Sequence, residues 1–485
     1  GLTKRSLQIP RDTGQLAMRS GNHRLVLTSN SSAIILRPAD GERHHRHLLF
    51  RQRSSRAHEP STLKRIAGLL GMIWIYNILI TLLAPIWVPL VWWKARKRKE
   101  APNWKERCGE YALDLDRNRP VVWAHAVSVG EVVAAMPVLR ELKAQKPEVQ
   151  IVLSVTTSTG HETARRQACS LFDHLVYFPI DVARFMWVAT WRVKPNVVAI
   201  FETELWLNFL HFAKQVKAQT LLVNGRISDR SFRRAQTVLF YYQTLVEKLD
   251  RCLMQTETDA GRIRAYGATN VDVLGNTKFD EAISSDPTAR EYWREQVEAS
   301  QEDIVIVVGS TRGELEENFV LSALQEFGAV RVIHAPRHIE VTDQLVERVQ
   351  HCFGKPARRS KNETGRYLVL DTYGELAQAY AAADIAIVGG GFAPLGGQNI
   401  IQPMAFGVPV LHGPHMQNFR DVAEMANRAG AATTCSTTAE LAKQLRCLIN
   451  DASARRAMGD RGRDLVVANQ GASRRYAKAI INALD

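Results

Sequence analysis

Ser128-Val129-Gly130-Glu131 follows the apolar run that begins at Val121, so Glu131 falls in the first turn of an expected helix. The helix dipole stabilises a carboxylate there, which can serve simply as a cap. At the end of a first strand, facing a cleft, it is also a candidate general base for an acceptor hydroxyl, with Ser128 and Gly130 beside it as binding residues. Thr156-Thr157-Ser158-Thr159-Gly160 puts hydroxyls at the next strand end. Thr157, Ser158 and Gly160 suit a sugar or phosphate, or the capping of the next helix. In Phe201-Glu202-Thr203-Glu204-Leu205-Trp206 two acids follow an apolar strand, where burial is costly without pairing. Arg226 and Arg230 offer the cations. Gly275-Asn276-Thr277-Lys278 adds a lysine that can neutralise charge on a departing phosphate or sit solvated in a linker.

Anion-binding signals fill the second half. Gly309-Ser310-Thr311 precedes a helix and offers backbone N–H groups and hydroxyls. Pro336-Arg337 sets a guanidinium after a strand, suited to bidentate phosphate contact. Tyr373-Gly374-Glu375 precedes another helix, and ordinary capping or a surface ion pair is the competing role for each. Gly389 to Asn399, including Gly397, is a glycine-rich turn without GxGxxG spacing or a Walker lysine, so neither NAD nor ATP chemistry is supported. No metal-ligand constellation is visible and no cofactor is expected. Six scattered cysteines with no CxxC pair read as reduced thiols.

These groups need positioning, and short apolar runs alternating with helical stretches provide it. Runs at Val121–Val127, Ile151–Thr156, Val197–Glu202, Thr220–Asn224 and Cys252–Gln255 predict one parallel sheet. Runs at Ile304–Gly309, Val330–Ala335, Tyr367–Leu370, Ile385–Val388 and Val408–Leu411 predict another. Asn276–Ser300, charged and containing Pro287, reads as the connection. The expected α/β architecture is two doubly wound, Rossmann-like domains, 100–285 and 286–485, facing a central cleft at the carboxyl ends of their strands.

Composition sets the surroundings. The net charge of +14 resembles a nucleic-acid signature until its distribution is read. Residues 1–65 hold 13 Lys and Arg against 4 acids, Lys94–Glu100 holds five against one, and the rest holds 45 against 44. The basicity therefore surrounds one segment, Ile66–Trp93, that lacks charged side chains and is long enough for a bilayer core. Residues 66–99 are expected to be a single amino-terminal membrane anchor, kinked or interfacial because of Pro85 and Pro89. The basic flank after it puts the remainder on the cytoplasmic side of the membrane. No nucleic-acid partner is expected and no protein partner is implied. Residues 1–65 are read as a disordered basic arm or a start-site artefact.

The strings HAVSVGE (125–131), TTSTG (156–160), FETELW (201–206), NGRISDRS (224–231), GNTKFD (275–280), GSTRGELEE (309–317), APRH (335–338), DTYGEL (371–376), GGGFAPLGGQN (389–399) and GVPVLHGP (407–414) occur in one order over residues 70–485. In order and spacing the set resembles the 3-deoxy-D-manno-octulosonic acid (Kdo) transferases. The resemblance implies an inverting, metal-independent GT-B transferase with CMP-Kdo as donor and a lipid A precursor as acceptor. It makes Glu131 the base, with Glu202 or Glu204 and Lys278 supporting the transition state. Pro336, Arg337, Tyr373, Gly374, Glu375 and the segment Asn399, Ile400, Ile401, Gln402 would hold CMP. The chain departs from the family pattern at Gln398 and Gln402, where that pattern carries His and Glu, and at Arg312, where it carries His. These changes leave open a related GT-B transferase using another nucleotide sugar. A catalytically silent membrane-associated binding protein fits less well, since Glu131, Lys278 and Arg337 are retained.

Overall fold

The computed structural model describes residues 15–20, 23–28, 35–38, 62–97, 103–281 and 288–485. The chain divides into two compact units, Gly1–Lys64 and Arg65–Asp485. In the first, β1 (Gln15–Ser20), β2 (His23–Thr28) and β3 (Ile35–Pro38) form an antiparallel sheet where the sequence predicts a disordered arm. Their alternation, Leu16 and Met18 against Leu27 and Leu25, is too short to stand out from an Arg-rich stretch. The other residues of 1–61 lie outside the described residues.

The expected anchor is two helices, α1 (Thr62–Leu82) and α2 (Ala84–Lys97), bent by 64° across the break. Pro85 lies in the first turn of α2, where a missing N–H is tolerated, but its ring and lost donor bar continuation of α1. No single helix among the described residues is long and apolar enough to cross a membrane; the bent pair meets that test together, by length and composition. One side of α1 is docked. Ile73 is buried, the Tyr76 hydroxyl donates to Asp181 Oδ2 at 2.8 Å, and Asn77 and Asn208 pair at 2.9 Å. On the other side Trp74, Ile78, Leu79 and Leu82 are exposed, and Ile86 and Leu90 continue the apolar surface along α2.

The first domain begins with β4 (Val121–Ala126), α3 (Val129–Gln145), β5 (Gln150–Val155) and α4 (Ser158–Gln167). It continues through β6 (His174–Tyr177), β7 (Val197–Phe201), β8 (Gln219–Gly225), β9 (Arg251–Met254) and β10 (Val271–Val273). All pairings are parallel, in the order β10-β9-β8-β7-β4-β5-β6. All six residues of β4 are buried. Both faces are covered, and each buried Val or Leu side chain contributes about 1.5–3 kcal/mol.

The second domain holds β11 (Val305–Thr311), α5 (Glu314–Leu324), β12 (Arg331–Pro336), β13 (Ala357–Arg358) and β14 (Tyr367–Val369). β15 (Ile385–Val388), β16 (Val410–His412) and β17 (Ala432–Thr434) complete a parallel sheet of order β13-β14-β12-β11-β15-β16-β17. The chain order reverses between β4 and β7 in one sheet and between β11 and β15 in the other, the points where doubly wound sheets open a crevice.

The domain boundary is not the simple one expected. Within the expected Asn276–Ser300 connection, Thr277–Phe279 and Ala289–Gln296 are helical, with Phe279 and Trp293 in the second core. The last helix, α6 (Ala472–Asn482), leaves the second domain: Ala472, Tyr476 and Ile480 are buried with Val132, Leu139 and Leu253 in the first. Residues 286–485 are therefore not one domain throughout.

Candidate active site

Both reversal points carry the predicted motifs. Ser128–Glu131 follows β4 and Glu202–Trp206 follows β7; Ser310–Arg312 ends and follows β11, and Gly389–Asn399 follows β15. Glu202 and Ser310 both adopt φ +60°, a left-handed conformation that costs a non-glycine residue energy and clusters at functional sites. Gly389 must be glycine: a Cβ would stand 2.6 Å from the Thr311 Cα.

A cavity of about 780 Å³ lies between the domains. Val129 and Gly130 from the first turn of α3 wall one side, joined by Lys278 and Glu281. Ser310, Arg312, Arg337, His338, Gly374, Gly397, Gln398, Asn399 and Gln402 face them. Of the predicted residues, Gly130, Lys278, Ser310, Arg337, Gly374, Gly397, Asn399 and Gln402 thus meet around one space. A second cavity, of about 530 Å³, lies beside Phe353 and Tyr367, and no strand-end motif lines it.

Glu131 is buried behind that wall. Its carboxylate accepts from Val127 N–H at 2.7 Å and from the Ser128 hydroxyl at 3.2 Å. Burial pushes its carboxyl up to about 8; the Val127 N–H opposes the rise, and the charges of Glu202 and Glu204 add to it. Burial raises Glu204 as well, with Glu202 contributing. Burial lowers the Lys278 ammonium, while Glu202 pulls the other way. Lys278 Nζ stands 4.5 Å from the centre of the Phe419 ring, which belongs to the second domain. Three carboxylates and a lysine therefore share one electrostatic environment, and one of them exchanges its proton near neutral pH, as acid–base chemistry requires. Burial also raises Glu281, to about 7, against the pull of Lys278 and Arg140. Sequence reasoning missed Glu281; its place next to Asp280 in the lysine motif was the available signal.

Several candidates have local work instead. The Thr157 side chain caps α4, accepting from Gly160 N–H at 3.1 Å, so the capping alternative describes both residues. The Ser158 hydroxyl is buried without a hydrogen-bond partner among the described residues. Arg226 donates to the carbonyls of Gln417 at 2.9 Å and Asn418 at 3.3 Å, tying the domains together outside the cavity lining. The Thr311 hydroxyl bonds His334 Nε2 at 2.9 Å, and Pro336 is buried at the end of β12. Tyr373 is exposed and donates to Glu340, and Glu375 is ion-paired with Arg359 at 2.7 Å. Ile400 and Ile401 are fully buried in the second core. Arg337 is exposed and makes no ion pair among the described residues, so its guanidinium is available to an anion.

Among the described residues, no group of three or more His, Cys, Asp or Glu could hold a metal ion.

The family model for 3-deoxy-D-manno-octulosonic-acid transferase (kdotransferase) matches residues 102–281. A 3-deoxy-D-manno-octulosonic acid transferase of Bordetella pertussis is 32% identical, over 84% of this chain and 98% of its own. One of Chlamydophila psittaci is 29% identical, over 71% of this chain and 80% of its own. MurG of Acinetobacter baumannii has a similar fold, with TM-score 0.51 and 17% identity over 75% of this chain and 99% of that one. So has the UDP-GlcNAc 2-epimerase of Neisseria meningitidis bound to UDP-GlcNAc, with TM-score 0.52 and 12% identity over 75% and 99%.

Proposed function

The chain belongs to the 3-deoxy-D-manno-octulosonic acid transferase family, and from that membership we propose that it moves Kdo from CMP-Kdo to a lipid A precursor, with inversion, in lipopolysaccharide biosynthesis. One observation carries the reading: the first turn of α3, which bears Glu131, and the anion-suited strand ends of the second domain wall the same cavity. Glu131 takes the proton of the acceptor hydroxyl as that oxygen attacks the anomeric carbon. The bond to the CMP phosphate breaks on the opposite face. Lys278, Arg337 and the backbone N–H groups near Ser310 stabilise the departing phosphate, and Gly374, Gly397, Asn399 and Gln402 hold the nucleotide. The proposed mechanism uses no metal ion.

The apolar outer side of α1 and α2, with the basic cluster Lys94–Lys99 after it, supports a single anchor and a catalytic body at the cytoplasmic face of the inner membrane. Attachment confines enzyme and lipid acceptor to one surface.

Incubation of the purified protein with CMP-Kdo and a lipid A precursor, with products read by mass, is the test. A mass increase of one or more Kdo units on the lipid is expected; an unmodified lipid would overturn the reading. Gln398, Gln402 and Arg312 line the cavity and differ from the family pattern, which sustains a second reading with another nucleotide sugar. Turnover with a UDP-sugar and none with CMP-Kdo would favour it.

A further inference from the structure

Glu316, in the first turn of α5, is fully buried. A buried carboxylate is strongly destabilising unless its charge is answered. Among the described residues only backbone answers it. Arg312 N–H and Gly390 N–H donate to Oε2 at 2.8 Å each, and Phe392 N–H and Ala393 N–H donate to Oε1 at 2.8 and 3.2 Å. These N–H groups lie on the two loops that follow β11 and β15, the neighbouring strands of the second reversal point.

We infer that Glu316 is a positioning residue for the donor half of the cleft, its carboxylate stapling the glycine-rich turn to the loop that carries Arg312. Arg312 closes the same junction from the other side, donating from Nη1 to the Leu395 carbonyl at 3.3 Å. Just beyond Leu395 come Gly397, Gln398 and Asn399, which wall the cavity. Four donors converging on two oxygens require an acceptor at every position, which a carboxylate supplies and a carboxamide does not. Glutamine would turn an NH₂ group toward two of the four N–H groups and leave them buried and unpaired. The turn is rich in glycine and stiffened by few side chains of its own, so the carboxylate sets its shape. The consequence for donor binding rests on the function proposed above; the staple itself does not.

Glu317 supplies an internal control. It is equally buried, but its carboxylate bonds Arg348, at 2.9 Å to Nε, and makes no hydrogen bond to either loop among the described residues. In the full-length protein, Glu316→Gln and Glu317→Gln are compared by hydrogen exchange of peptides covering 388–400 and by donor kinetics. Both variants should melt below the parent. Only Glu316→Gln should speed exchange at Gly390, Phe392 and Ala393. It should also raise the KM for CMP-Kdo by about tenfold or more while kcat stays within about threefold. If Glu316→Gln does not accumulate as folded protein, Glu316→Asp keeps the charge but withdraws it, and should give the same pattern more weakly. Equal exchange over 388–400 in the Glu316 and Glu317 variants, or an unchanged donor KM beside active parent enzyme, would overturn the inference. If the parent does not use CMP-Kdo, the proposed function falls and the exchange comparison alone decides the staple.

Discussion

Glu131 holds a proton that an ordinary glutamate would have lost. With its carboxyl raised to about 8 by burial, general-base catalysis should strengthen as the pH rises through that value. Initial rates against pH should climb with a midpoint near 8. Glu131→Gln should lower transfer by about 10²–10⁴-fold and leave CMP affinity intact; near-parental turnover by the folded variant would remove Glu131 from the base's role. Stability follows the opposite course. Between the ordinary value of 4.5 and about 8, the native state keeps a proton the unfolded chain has released, so stability declines as pH rises across that window. Glu131→Gln should flatten the decline, which denaturant titrations at several pH values can read. Arg337→Ala should weaken CMP binding by roughly tenfold to a hundredfold, the usual range for a charge-assisted contact, and calorimetry with CMP checks it. Which strand-end residues face the cavity was only partly legible. Thr157 and Glu375 are of types that suit a ligand, but each also fits a local partner, Gly160 N–H and Arg359, that only the folded backbone brings into range. Glu316 was hidden by its setting: in Gly313-Glu314-Leu315-Glu316-Glu317 an acid reads as one more dipole-stabilised charge in a first turn.

The central strands were legible because burial on both faces demands unbroken apolar runs, as in Val121–Ala126 and Ile385–Val388. The edge strands β6, β10, β13 and β17 were not. Each has only two to four residues, and His174, Asp272 and Arg358 break their patterns. The bend between α1 and α2 was foreseeable from Pro85, but the docking of α1 was not, since it depends on distant Asp181 and Asn208. Asp181 is buried and accepts from Tyr76 as well as from Asn208 N–H and Phe209 N–H. Tyr76→Phe should therefore destabilise the first domain by about 1–3 kcal/mol, the worth of one hydrogen bond to a carboxylate that keeps its backbone donors, as measured by urea unfolding. The membrane reading makes a separate demand. If the bent pair lies in the interface, each basic residue near an anionic surface contributes about 1 kcal/mol and high salt should release part of the protein. If it spans, only detergent should. Recovery wholly in the soluble fraction at low salt would end the anchor reading.

At the scale of the unit Arg65–Asp485, the two domains are tied at several points. Arg226 reaches the carbonyls of Gln417 and Asn418, Asp229 pairs with Arg420, and Asp280 accepts from the N–H groups of Gly471 and Ser473 at 2.6 Å, just where the chain returns. Beyond that point Tyr476 is fully buried among first-domain residues, and its hydroxyl donates to the carbonyl of Gly275 at 2.7 Å. Tyr476→Ala should cost about 3–5 kcal/mol in denaturant unfolding, comparable to emptying a large aromatic site in any core. The loss should appear in the first domain, although the substitution lies near the carboxyl terminus.

The returning helix also has a meaning in time. A ribosome finishes β10 at Val273 long before it reaches Ala472, and at about 5–20 residues per second the interval is on the order of ten to forty seconds. Throughout it, the face of α3 that will meet Tyr476 and Ile480 has no cover. The first domain must therefore wait, partly unsealed, for Ala472–Asn482 to emerge, and a translation product abandoned before them cannot complete a domain it has otherwise encoded.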